Sequence, residues 1–354
     1  MKNLILSNVE KLGASSKSDV STWFEIYKLI NLNVSLVDRC DYLQSPYRFE
    51  NKFPMPKIPN VFNKTYFDIC IERAQKIVLH SKKIDKPISV LWSGGIDSTV
   101  VLISFILGCP NDLDRISVVM NPWSIVENPN FYYNHIRNRF KLLPSEKTLD
   151  ILDGSSIMVG GEFNDQLFGS DIVRDVETFG NMDLVLGPNT SQNVLPFLQS
   201  KGISEKSAAH WYFLLDDHIK NVCPVEINTV HQLFWWLNFS FKWQSVYYRI
   251  PERIKNQHLL NDEFLSQYYL QFFVIEDFQI WSMLNPDKKI GSTWESYKLE
   301  AKKMILDFNG DKDYFDNKVK RGSLGQIFKQ RKVPDALAVE DKQYRSEEHT
   351  SELQ

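Results

Sequence analysis

The chain has 354 residues, 43% hydrophobic and 13% aromatic, which is enough apolar material for one large or two ordinary domains. Its 41 basic and 44 acidic residues give a net charge of −3, which argues against a general nucleic-acid binder. No apolar run reaches transmembrane length, Met1-Lys2-Asn3-Leu4 lacks a signal-peptide pattern, and Cys40, Cys70, Cys109 and Cys223 show no zinc spacing. The expectation is a cytoplasmic protein away from the membrane.

Residues 1–64 read as an extension, helical around residues 22–30. A crossing follows that Pro46, Pro54, Pro56 and Pro59 keep extended. Residues 66–80 predict an amphipathic helix, with Phe67, Cys70, Ile71, Ala74, Ile77 and Val78 at helical spacing. The β-branched run Ile88-Ser89-Val90-Leu91-Trp92 predicts a buried strand. After Ser93-Gly94-Gly95-Ile96-Asp97-Ser98-Thr99, a buried helix capped by Asp97 or Ser98 runs to Gly108-Cys109-Pro110. Residues 116–120 and 156–160 read as further strands, with residues 128–140 helical between them. Strands alternating with helices argue for an α/β fold with a parallel sheet. From about residue 205 the chain turns mainly helical and aromatic, with Trp211, Trp235, Trp236, Trp243 and Trp281 expected in the core. The organisation is thus an extension (1–64), an α/β core (65–204) and a mainly helical region (205–344). Residues 345–354 read as translated sequencing adapter, and removing their one arginine and three glutamates leaves the chain near neutral.

The strand, glycine turn and helix start around Ser93 together make an anion site. Glycines let the backbone approach closely, successive N–H groups form a nest, and the helix dipole adds positive potential. Ser93, Ser98 and Thr99 add hydroxyls. The bland alternative is an ordinary strand-to-helix turn. The stretch resembles the pyrophosphate-binding loop of the N-type ATP pyrophosphatases (the PP-loop superfamily), patterned Ser-Gly-Gly-x-Asp-Ser. It lacks the Gly-Lys-Ser/Thr of a Walker A loop. The resemblance implies a Rossmann-like, adenine nucleotide alpha hydrolase-like core that cuts ATP between its α and β phosphates. It also implies nucleotide contacts from Ser93, Gly94, Gly95, Asp97, Ser98 and Thr99, with Leu91 and Val119 beside the adenine.

A second constellation, Gly160-Gly161-Glu162-Phe163-Asn164-Asp165-Gln166-Leu167-Phe168-Gly169-Ser170, follows a later strand. Its two carboxylates, three residues apart, suit Mg²⁺, although acidic loops are often only solvated or capping. The segment resembles the second signature of asparagine synthetase, Ser-Gly-Glu-Gly-Ala-Asp-Glu-Leu-Phe-Gly-Gly. Gly161, Glu162, Asp165, Leu167, Phe168 and Gly169 match, while Phe163, Asn164, Gln166 and Ser170 depart. Phe163 and Gln166 are expected beside the acceptor site, which leaves the substrate open.

By that resemblance, Asp97 and Asp165 hold Mg²⁺ on pyrophosphate and Gly161 lies at the nucleotide. Glu162 acts near the reacting carboxylate as base for the amine. A lysine from the helical part steadies the α-phosphate, and Lys318, ahead of Lys320, is the candidate. Residues 275–282 are expected on the substrate side. Lys2 stands where glutamine-hydrolysing members expose a cysteine, and no glutaminase-sized stretch precedes Ser93. The expected protein is therefore an AMP-forming ligase or amidotransferase that lacks the N-terminal glutaminase domain. It would join a small-molecule carboxylate to ammonia, to an amine from a separate glutaminase, or to another amine. The alternatives are an AMP-forming enzyme acting on a nucleobase or tRNA, and a non-catalytic nucleotide-binding protein.

Overall fold

Thr65 opens the first long helix, α1 (Tyr66–Lys83), through a reciprocal cap: its hydroxyl accepts the Asp68 N–H, and the Asp68 carboxylate accepts the Thr65 N–H. The computed structural model describes residues 4–6, 37–43, 50–169, 171–253, 259, 261–318 and 336–338. The predicted helix at 22–30, Pro46, Lys320 and the adapter-like tail lie outside the described residues.

In a small antiparallel ribbon, β1 (Leu4–Leu6) pairs with a strand near the other end of the chain, Ala336–Ala338. The main sheet has five strands, all parallel: β2 (Ile88–Leu91), β3 (Ile116–Met120), β4 (Lys141–Pro144), β5 (Ile157–Gly160) and β6 (Tyr269–Gln271), in spatial order β4-β3-β2-β5-β6. Central β2 and β5 are buried throughout, as their continuous apolar runs require. The chain is therefore α/β with a parallel sheet, as the alternating pattern predicts.

Strands β4 and β6 were not expected. β4 is an edge strand, largely exposed, so it carries no apolar run to mark it. β6 is three residues long, directly follows the helix Asp262–Tyr268, and comes from the region read as helical. Residues 128–140 form only one α turn, Pro129–Phe131, and a π turn, Tyr132–Ile136, because Asn128 and Pro129 restart the chain there. Helices begin earlier than residue 205, at Asp171–Leu186 and Ser191–Ser200. The five tryptophans assigned to the core are each at most 1% exposed.

None of residues 275–282 lines the cavity described below; residues 276–282 belong to a largely buried helix, Glu276–Leu284, with Ile275 as its N-cap. Its Gln279 accepts from Arg39, whose guanidinium also donates to the Phe53 and Phe239 carbonyls and lies 4.4 Å from the Trp243 ring centroid. That buried cation locks the proline-rich crossing onto the helices. Among the described residues no helix is long and apolar enough to cross a membrane.

The strand order sets the site. From β2 the chain moves outward to β3 and β4, then returns to place β5 on the other side of β2. The connections leaving β2 and β5 thus diverge, opening a crevice at the carboxyl ends of these two strands. Both singled-out motifs sit there.

Candidate active site

The first loop leaves β2 at Trp92 and enters helix α2 (Ile96–Gly108). Gly94 has φ +78°, and a Cβ there would lie 2.3 Å from the Ser124 carbonyl oxygen and 2.9 Å from the Glu127 Cβ. Only glycine fits. The Ser93 and Gly95 N–H groups donate to the Ser98 and Ser93 hydroxyls at 3.1 and 3.2 Å, closing the loop on itself. The expected cap is corrected: Gly95 is the N-cap and no side chain caps the helix, which leaves first-turn N–H groups for an anion. Asp97 lies inside the first turn, where the helix dipole favours its charge. Thr99 does not line the cavity described below. It is fully buried, and its Oγ1 accepts the Trp92 indole N–H at 3.2 Å.

The second loop follows β5. A Cβ on Gly161 would stand 3.2 Å from both the Asp97 carbonyl carbon and the Ser98 nitrogen, so this glycine lets the two motifs touch. Asn164 joins them further: its amide donates to Asp97 Oδ1 at 2.8 Å, and its own oxygen accepts the Tyr66 hydroxyl at 2.8 Å. Asp97 and Asp165 then converge on a single ammonium. Lys298 Nζ lies 2.6 Å from each Asp97 carboxylate oxygen and 2.7 Å from Asp165 Oδ1. Its backbone is left-handed, φ +63°, where it precedes the helix Leu299–Asn309.

A cavity of about 610 Å³, counted to its open mouth, lies beside this cluster. Ser93, Gly95, Ile96 and Asp97 from the first motif line it, together with Lys298, Lys302 and Lys318. Glu127 and the stacked pair Trp294 and Tyr297, with centroids 4.9 Å apart, complete the wall. Burial pushes Lys302 down to about 8, and the neighbouring Lys318 and Lys298 push the same way. Lys318 pairs with Glu127 at 2.6 Å, both side chains buried. Tyr314, from the helix Lys312–Asn317, donates its hydroxyl to the Gly94 carbonyl at 3.1 Å and ties these C-terminal helices to the glycine turn.

Several expected residues stand elsewhere. Leu91 and Val119 are paired neighbours on β2 and β3 and do not line this cavity; they pack with Met158, Ile250 and Tyr269. The Val119 carbonyl already accepts the Trp92 N–H at 2.9 Å. Phe163 and Gln166 do not line this cavity. Phe163 is fully buried, its ring 4.7 Å from that of Trp243, and Gln166 is buried on α3 (Asn164–Phe168). Glu162 lies outside the cavity lining and forms an ion pair with Arg249, whose guanidinium that carboxylate holds in its charged form.

Lys298, Lys302, Glu127, Asn164 and Arg249 escaped the sequence reading. Asn164 stood inside the second motif and was read only as a departure from the pattern. The three others with charged side chains near the loop, and Arg249, carry no local signal.

One further cluster invites a metal, since Asp38, Cys40 and His218 bring ligand atoms within 4.8 Å of one another. Its hydrogen bonds argue otherwise. The Trp236 indole donates to His218 Nδ1 at 3.1 Å, so the imidazole proton sits on Nε2 and is given to Asp38 at 3.1 Å. No lone pair remains at Nε2. Asp38 also accepts the N–H groups of Cys40, Tyr42 and Leu43, as a structural anchor does.

The fold and site together define an α/β parallel-sheet protein with a glycine-containing turn and paired carboxylates at its topological switch point. Comparison with family models, with curated proteins and with solved structures found no match to this chain.

Proposed function

We propose that the chain is an ATP-dependent, AMP-forming carbon–nitrogen ligase of the asparagine synthetase type, on an adenine nucleotide alpha hydrolase-like core. The observation that carries this reading is the convergence of Asp97 and Asp165, from the first turns of helices that follow adjacent strands, beside a cavity lined by Ser93, Gly95, Asp97 and three lysines. Two carboxylates sharing one cationic centre within 2.7 Å are a donor set that fits Mg²⁺. When bound there, Mg²⁺ supplies charge neutralisation to the departing pyrophosphate.

The chain's own groups take the remaining roles. The loop N–H groups and the start of α2 receive phosphate oxygens, with Lys302 and Lys318 adding charge that stabilises the transition state. A carboxylate oxygen of the substrate bonds to the α-phosphorus as the bond to pyrophosphate breaks. An amine then attacks the acyl carbon, AMP leaves, and Glu162 takes the amine proton. The ion pair with Arg249 positions the Glu162 carboxylate for that task.

Exchange of labelled pyrophosphate into ATP, run against carboxylic acids, nucleotides and tRNA, tests the reading. Carboxylate-stimulated exchange supports it. Exchange only with tRNA, or nucleotide binding without exchange, replaces it with one of the two alternatives. Glu162→Gln should lower overall turnover about 100-fold while changing ATP affinity less than about threefold. Equal losses in both, measured by turnover and calorimetry, would assign Glu162 to nucleotide binding instead. A polyphosphate in the cavity should also bind more weakly as pH rises through about 8, because Lys302 gives up its positive charge there. Calorimetry at pH 7 and pH 9 measures this, and Lys302→Met should flatten the difference.

A further inference from the structure

Lys298 occupies the position a divalent cation would take. Its ammonium has three N–H groups and lies within 2.7 Å of three carboxylate oxygens, two of Asp97 and one of Asp165. The side chain is 3% exposed, so the ion pair is largely shielded from water and salt. Asp97 is held from other directions, by the Asn164 amide and the start of α2, so its carboxylate stays in place whichever cation it shares with Asp165. Lys298 also lines the cavity beside Ser93 and Gly95, so phosphate oxygens arriving there are alternative acceptors for its ammonium.

The geometry points to Lys298 as an internal counter-ion that excludes divalent metal until an anionic ligand draws its ammonium away from Asp97 and Asp165. One ammonium between two carboxylates leaves a net single negative charge. A divalent cation entering beside it would meet a positive charge at contact distance, and Coulomb repulsion with steric overlap blocks the site. Moving Lys298 onto phosphate removes that block and rewards the same ligand twice. Metal and nucleotide therefore bind in coupled fashion, and metal alone binds poorly. The exclusion itself does not depend on the reaction; only the identity of the displacing anion rests on the proposed function.

The test is Mn²⁺ binding to nucleotide-free protein, followed by electron paramagnetic resonance. Lys298→Gly removes the ammonium at a left-handed backbone position that glycine prefers, and Lys298→Asn does so with a second residue tolerated there. Both should bind one Mn²⁺ at least about tenfold more tightly than the parent chain, and adding Asp165→Asn should remove the gain. Lys298→Arg, which keeps the cation, should show no gain. Parent protein that binds Mn²⁺ as tightly as Lys298→Gly overturns the proposal, as does failure of both folded variants to gain a site. A non-cleavable ATP analogue with a methylene between the α and β phosphates should raise Mn²⁺ affinity in the parent protein. If the variants gain the site but the analogue does nothing, the counter-ion role stands and the ATP reading falls.

Discussion

Asp97→Asn should reduce pyrophosphate release by at least about 100-fold while leaving the protein folded. Asparagine keeps the shape of the side chain and an oxygen to accept the Asn164 amide, now 2.8 Å from Asp97 Oδ1. The lost charge does not strand Lys298, because Asp165 remains 2.7 Å from its ammonium. Breaking a buried ion pair is costly mainly when one charge is left alone, and here it is not. The melting temperature should therefore shift by only a few degrees, about what a change near 1 kcal/mol produces. Chemistry has no such reserve, since Asp97 is one of the two carboxylates that fit the metal. Undiminished pyrophosphate release from Asp97→Asn would remove this carboxylate from the mechanism. A collapse in melting temperature would assign it to the fold.

Gly94→Ala should have the opposite profile, with stability and ligand binding failing together. The left-handed backbone alone costs an alanine about 1–2 kcal/mol. The new Cβ would also stand 2.3 Å from the Ser124 carbonyl, a rigid backbone atom that cannot turn aside as a flexible side chain could. Ser124 is fixed in turn, its hydroxyl donating to the Trp92 carbonyl at 3.0 Å and Asn121 capping its helix. A total loss of roughly 3 kcal/mol is expected from strain and overpacking together. Moving the loop by even an ångström misplaces the N–H groups that receive phosphate, so nucleotide affinity should fall at least about 100-fold. Chemical denaturation and calorimetry measure the two effects. An alanine variant of parent stability would mean that the loop is looser than its contacts require.

The parts of the fold that were legible share one property: their signal is local. β2, β3 and β5 are continuous apolar runs, and burial on both faces of a central parallel strand demands such runs. β4 escaped because an exposed edge strand has no need of them. β6 escaped because three residues make no period. In the site, Gly94 and Asp97 were legible because a tight phosphate-sized turn requires glycine and one loop supplies all its atoms. Phe163 was visible only as a departure from the motif, and its place in the core against Trp243, just ahead of the short helix, depends on residues far away in the chain.

Residue order alone determined the strand, glycine turn and helix sequence around Ser93, the second acidic loop, and hence an α/β chain with two candidate anion and cation elements. Backbone sterics and hydrophobic period act over a few residues, so a linear reading captures them. Tertiary structure alone decided that β5 lies beside β2, so that Gly161 touches Asp97 and Asp165 faces the same centre. It also chose Lys298 and Lys302 from 41 basic residues and set them beside Lys318, which the sequence had already singled out. A charge declares its role only through the distance to its partners, and residues 97, 165 and 298 acquire those distances only when the chain folds.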